Sequence, residues 1–199
     1  MAYAFYVTIK GAKQGDFKGE VSRPATPGPP DAILGLAFHY EVSSPRDPAT
    51  GLVTGKRQHS PIAFVKEWGA SSPQLFQAAV TNEALISVAF EFFAAQPAGQ
   101  GTAPFYKIAL TNASVVSIKQ DVQGPPPGVA GETRDLEEVS LVFQKIEVES
   151  YAGKTVAADD WMTASRAPGT APLASGAPVN IAGNVVGSAV IAGVRRVNA

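Results

Sequence analysis

Cysteine is absent from this chain of 199 residues. That excludes a disulfide framework, a thiolate nucleophile and any cysteine-ligated metal. The histidines are His39 and His59 alone, and no His-x-x-x-His or His/carboxylate cluster frames them as a metal site. Charge of one sign is also missing. With 16 Lys and Arg against 17 Asp and Glu the formal charge is -1, which gives no electrostatic case for nucleic acid or an anionic membrane. No apolar run approaches the roughly 20 residues of a membrane helix; the nearest, Ile181 to Val194, carries Asn184 and Ser188. The opening MAYAFYVTIKGAKQG has no basic region followed by an apolar stretch, so no cleaved leader is expected. What is present is an ordinary globular composition, 45% hydrophobic and 17% charged, long enough to bury a core.

Alternation at period two dominates the chain, and it predicts strands. Tyr3, Phe5, Val7 and Ile9 share one side of the first. Leu34, Leu36, Phe38, Tyr40 and Val42 share a face of a second, and Ile62, Phe64 and Trp68 of a third. Ile86, Val88, Phe90 and Phe92 are in phase on a fourth. Tyr106, Ile108, Leu110, Val116 and Ile118 lie on a run so long that a bend is expected near Asn112–Ser114. In the run from Leu136 to Ser150 the apolar phase changes from Phe143 to Ile146, which predicts a bulge near Gln144–Lys145. Lys154 to Trp161 completes the set. One helix is expected on SSPQLFQAAVTN, with Ser72 as N-cap, Pro73 in the first turn, and Leu75, Phe76, Ala79 and Val80 on one side. Many strands, one short helix and no βαβ alternation predict a mainly β fold, a compact β-barrel or two-sheet structure. The second faces of its strands are under-charged: Gly35, Ala37 and His39, or Ala109, Thr111, Ala113 and Val115, are expected to pack against another subunit.

Between the second and third strands lies SSPRDPATGLVTGKRQHS, about 18 residues where hairpin loops take about 2–5. Its charges exclude burial in a core, so the arm is a first candidate for a contact surface. Within it, GLVTGKR glances at a phosphate-binding loop. Gly51 and Gly55 enclose three residues where four are needed, and Arg57 stands in place of the hydroxyl residue, so nucleotide binding is rejected.

No other motif carries chemistry. There is no G-x-S-x-G nucleophile turn. Asp159 and Asp160 are adjacent, as are Glu137 and Glu138, so on strands each pair points to opposite faces. Asn112-Ala-Ser matches a glycosylation acceptor by coincidence. The chain reads as a non-enzyme, with no cofactor and no metal.

The run FHYEVSSPRDPATGLVTGKRQHSPI from Phe38 resembles the tube protein of bacterial type VI secretion, the haemolysin co-regulated protein (Hcp) family. So do FYVTIKG, SSPQLFQAAVTNE, YKIALTNASVVSIKQ, EEVSLVFQKIEVES and GKTVAADDW, in the family's order from Ala4 to Trp161. The resemblance implies a domain over 1–162 related to phage tail tubes, forming hexameric rings that stack into a tube. Its implied partners are further copies of itself, a spike protein, a contractile sheath and small effector proteins held in the lumen. The implied course is assembly in the bacterial cytoplasm, then secretion without a signal peptide. The arm would contact neighbouring subunits through Ser44, Arg46, Asp47, Lys56 and Arg57. The competing readings are a monomeric β-barrel binding a small apolar ligand, and a hydrolase whose carboxylates or histidines converge in a cleft.

Residues 163–199 depart from the pattern. They contain Arg166, Arg195 and Arg196 but no acidic or aromatic residue, so the tail carries +3 and the domain, with 13 basic and 17 acidic residues, -4. This Ala/Gly/Pro/Val-rich extension is expected either to lack a core of its own or to pair onto a β edge or a neighbour through VVGSAVIAGV.

Overall fold

Alternating apolar residues produce eleven strands and one helix in the computed structural model, which describes residues 3–19, 28–94, 103–124 and 134–162. The strands are β1 (Tyr3–Gly11), β2 (Gly15–Asp16), β3 (Ile33–Gly35), β4 (Ala37–His39), β5 (Val42–Ser43), β6 (Gln58–His59) and β7 (Ile62–Glu67). After α1 (Ser72–Thr81) come β8 (Leu85–Ala94), β9 (Pro104–Gln123), β10 (Arg134–Ser150) and β11 (Thr155–Asp160). One antiparallel sheet runs β2-β1-β8-β9-β10-β7-β4, with β3 added to β1 and β11 to β10; β5 and β6 form a separate ribbon. The mainly β architecture with one helix is as the sequence predicts, but the sheet is not closed into a barrel. The extension at 163–199 lies outside the described residues.

The expected bend is at Asn112, which takes a left-handed backbone (φ 52°), a conformation asparagine tolerates better than most residues. There the buried positions of β9 switch from Ile108 and Leu110 to Ala113 and Val115. On the facing strand they switch from Leu141 and Phe143 to Ile146. Both strands turn over together, so Phe143 still pairs Ala113 and Lys145 still pairs Thr111. The bulge expected near Gln144–Lys145 is therefore absent from this ladder. The register slip falls instead between Ser140 and Leu141, where Val116 is the extra residue and is thrown outward, 52% exposed. Asn112 donates its amide to Gln144 Oε1 (2.9 Å), a structural use of the apparent glycosylation triplet. A second slip, opposite Lys10 and Gly11, turns Ile86 out of its expected inward phase.

The strand expected from Ile33 to Val42 is split. Its first part, β3, pairs with β1 and its second, β4, with β7; at the break Leu36 donates its amide to Val65 O (2.8 Å). The inward side changes across this break. Ile33 and Gly35 face the core while Leu34 and Leu36 lie outside, and only beyond it do Phe38 and Tyr40 pack inward. Gly35 is obligatory, because a Cβ there would fall within the ring of Phe5. Gly35, Ala113 and Val115 are thus core residues and not part of an outer contact face; of that set Ala37, His39 and Thr111 are exposed.

Phe5, Phe38, Phe90 and Phe92 form the aromatic centre of the core, with Phe38 edge-on to Phe90 at 5.2 Å and to Phe92 at 5.4 Å. Strand β7 turns Ile62, Phe64 and Lys66 inward, and Trp68 comes out to donate its indole N–H to Leu136 O (3.0 Å). The fully buried Lys66 ammonium meets Glu137 Oε1 at 3.0 Å. It also donates to Glu67 O (2.7 Å) and Ser72 Oγ (3.1 Å). Gln120 donates to the other Glu137 oxygen at 3.0 Å. Ser72 donates to Glu137 Oε1 (2.8 Å) and is the first residue of the helix, whose N-cap is Ser71. The expected assignment of Ser72 as cap fails because its hydroxyl is committed to this buried network. The helix buries Leu75 and Ala78 and leaves Phe76 and Val80 outside.

Candidate assembly interface

The long polar arm is an ordered hairpin built from its own turn residues. Pairing of Val42 with His59 and Ser43 with Gln58 starts it, and a bridge between Arg46 and Val53 continues it. Asp47 closes the tip: its Oδ1 accepts the amides of Ala49 (2.7 Å) and Thr50 (3.1 Å), as Asp does in turns. Gly51 supplies the positive φ (69°) that the turn needs. Arg46 donates to Gly51 O (3.1 Å). Of the two glycines that resemble a phosphate loop, Gly51 serves the turn at the tip of the arm.

At the arm's root, β6 meets the end of β11. Arg57 pairs with the Asp159 carboxylate through Nε and donates from Nη2 to Asp160 O (2.9 Å). His59, with only 6% of its side chain exposed, bonds Asp159 Oδ2 through Nε2 (2.7 Å) and Tyr40 OH through Nδ1 (2.5 Å). Tyr40 stacks parallel to the imidazole, and Phe143 and Trp161 cover it at 5.6 and 5.2 Å. The Arg57 hydrogen bond holds the Asp159 carboxyl below its ordinary range, against the opposing effect of burial. Burial, then the Asp159 charge, pushes the Tyr40 phenol up. Asp160 points the other way and accepts the Met162 amide at 2.8 Å.

Of the sequence-selected residues, Arg46 and Asp47 shape the tip and Arg57 anchors the root, while Ser44 and Lys56 are exposed. Leu52 and Val53 were missed by reasoning from charge. They project from the tip, 68% and 57% exposed. Their signal is an apolar dipeptide in an otherwise polar arm. The Tyr40–His59–Asp159 chain was also missed, because about 100 residues separate His59 from Asp159 and no spacing rule joins them. Among the described residues no group of three His, Asp or Glu is placed to hold a metal, and no helix is long and apolar enough to cross a membrane.

A family described as "Type VI secretion system effector, Hcp" matches residues 6–150. A major exported protein of Pseudomonas aeruginosa is 32% identical over 168 residues, covering 81% of this chain and 96% of that relative. An Hcp crystal structure superposes with a TM-score of 0.70 at 25% identity, over 80% of this chain and all of the other. Hcp1 of E. coli EAEC 042 gives 0.68 at 29% identity, over 80% and 99%. Together with the fold, these likenesses define a mainly β, non-enzymatic class of exported secretion proteins. Within that class the chain belongs to the Hcp family, the tube proteins of type VI secretion.

Proposed function

We propose that copies of this chain close into hexameric rings, that the rings stack into the inner tube, and that the lumen carries small effectors. The observation that carries this reading is the arm: a preformed hairpin, clamped at its root, that presents Leu52 and Val53 to solvent where a monomer gains nothing from them. A closed ring requires a heterologous interface in which two different patches meet. The arm is one patch, with Ser44, Arg46, Asp47, Lys56 and Arg57 along its flank; the exposed strand residues Ala37, His39 and Thr111 belong to the other. Spike, sheath and effectors are the partners that such a tube engages, and the ring assembles in the cytoplasm before export. Residues 1–162 act as the tube unit and 163–199 as its appendage.

Native mass spectrometry and negative-stain imaging of the purified chain test the reading. A six-copy mass with annular particles is the expected result. A lone monomer at high micromolar concentration overturns it.

A further inference from the structure

The two strands of the arm, β5 and β6, pair with each other and with no strand of the main sheet. Its loop hydrogen bonds also close within the arm or at its entry: Asp47 donates to Leu52 O (2.8 Å), Thr54 to Pro45 O (3.0 Å) and Ser60 to Glu41 O (2.9 Å). A two-stranded ribbon is marginal by itself in water, and its own turns set no angle with the domain. Beyond the entry residues Tyr40 and Glu41, the hydrogen bonds that tie it to the fold, among the described residues, converge on the end of β11. Arg57 Nε and His59 Nε2 both reach Asp159 Oδ2, the imidazole at 2.7 Å, and Arg57 Nη2 donates to Asp160 O (2.9 Å).

We infer that the arm is a rigid strut whose direction is set by the last strand of the domain, with Asp159 as the positioning residue. The carboxylate is itself held still. Its Oδ1 accepts the Asp160 amide (3.0 Å), and its backbone lies opposite the core residue Ile146 in the ladder between β10 and β11. Arg57 grips two acceptors with a planar fork, which fixes orientation as well as distance. Its bond to an ionised carboxylate is of the stronger, charge-assisted kind. Phe143 from β10 and Trp161 from beyond β11 flank the His59 ring. A neighbour that meets Leu52 and Val53 at the tip thus meets them in one place, and ordering costs nothing at the moment of contact. The fixed direction stands without the ring reading; its use in assembly rests on that reading.

The lack of native cysteine makes the test direct. Spin labels on Leu52→Cys and Val116→Cys, both exposed, measure the distance from arm tip to sheet in the full chain. Labelled chain is mixed into an excess of unlabelled chain, so that only distances within one copy are read. A second pair, Val116→Cys with Val156→Cys, reports whether β11 stays on the sheet. The parent should give one narrow arm distance. Asp159→Ala should make it about twofold broader as the arm samples other directions, with the second pair unchanged. Arg57→Gln with His59→Gln, which loosens the same grip without touching β11, should broaden it too and guards against a local defect in that strand. In native mass spectrometry the six-copy species of Asp159→Ala should dissociate at about tenfold higher concentration than the parent's, the cost of ordering a loose arm. Equal widths in parent and variants, or a broad distance in the parent, overturn the inference. Rings of equal stability overturn the role of Asp159 in assembly. A parent with one narrow distance and no ring removes the ring reading and upholds the strut.

Discussion

Lys66 Nζ lies 3.0 Å from Glu137 Oε1, with both side chains buried beneath the start of α1. Ser72 and Gln120 complete the coordination of Glu137, so a charged pair replaces apolar contact at the point where helix, β7, β9 and β10 meet. Removing one partner leaves an uncompensated buried charge, which costs about 3–5 kcal/mol. Lys66→Met or Glu137→Leu alone should destabilise by that amount. The double variant should lose less than the two singles combined. Urea unfolding at fixed protein concentration measures the cycle; additive losses would count against a coupled pair.

The arm root predicts an acid dependence. Asp159 has its folded-state pKa lowered, chiefly by the Arg57 hydrogen bond. Its stabilising contribution is therefore present above the unfolded carboxylate value of about 3.9 and is lost as pH falls through the lower folded value. Asp159→Asn should cost about 1–3 kcal/mol near neutrality. The gap to the parent should shrink as pH drops below about 4. Urea midpoints at pH 7 and pH 3 decide it, and a gap that stays constant speaks against an ionised anchor.

Gly35 leaves no room for a side chain, since any Cβ there meets the Phe5 ring, itself stacked on Phe92 at 5.3 Å. Gly35→Ala should destabilise by about 1–3 kcal/mol through overpacking. Pairing it with Phe5→Leu should recover part of the loss. Thermal unfolding of both variants reads the effect, and an unchanged Tm for Gly35→Ala would contradict the packing described.

Leu52 and Val53 touch little of their own subunit. Leu52→Asp should leave the stability of the single chain within about 0.5 kcal/mol, as exposed substitutions do, while breaking the proposed six-copy ring into smaller species in native mass spectrometry. Intact six-copy rings from Leu52→Asp would remove the arm tip from the proposed ring contact.

By itself the sequence determined the class of this protein. Period-two alternation with a single capped helix specified a mainly β chain, and the long arm stood out because hairpins do not need so many residues. The run of shared motifs from Ala4 to Trp161 pointed to the family that residues 6–150 match. Tertiary structure alone decided which faces are inside. Alternation predicts faces only while the backbone stays regular. Asn112, the slips at Val116 and Ile86, and the change of partner at Leu36 each reverse the inward side. Such reversals depend on how strands pair across the sheet, which no local window contains. For the same reason Lys66 and Glu137 became core residues, and His59 found Asp159. Lys66 meets Glu137 because β7 pairs with β10, whereas His59 and Asp159 meet through side chains of two strands that do not pair with each other.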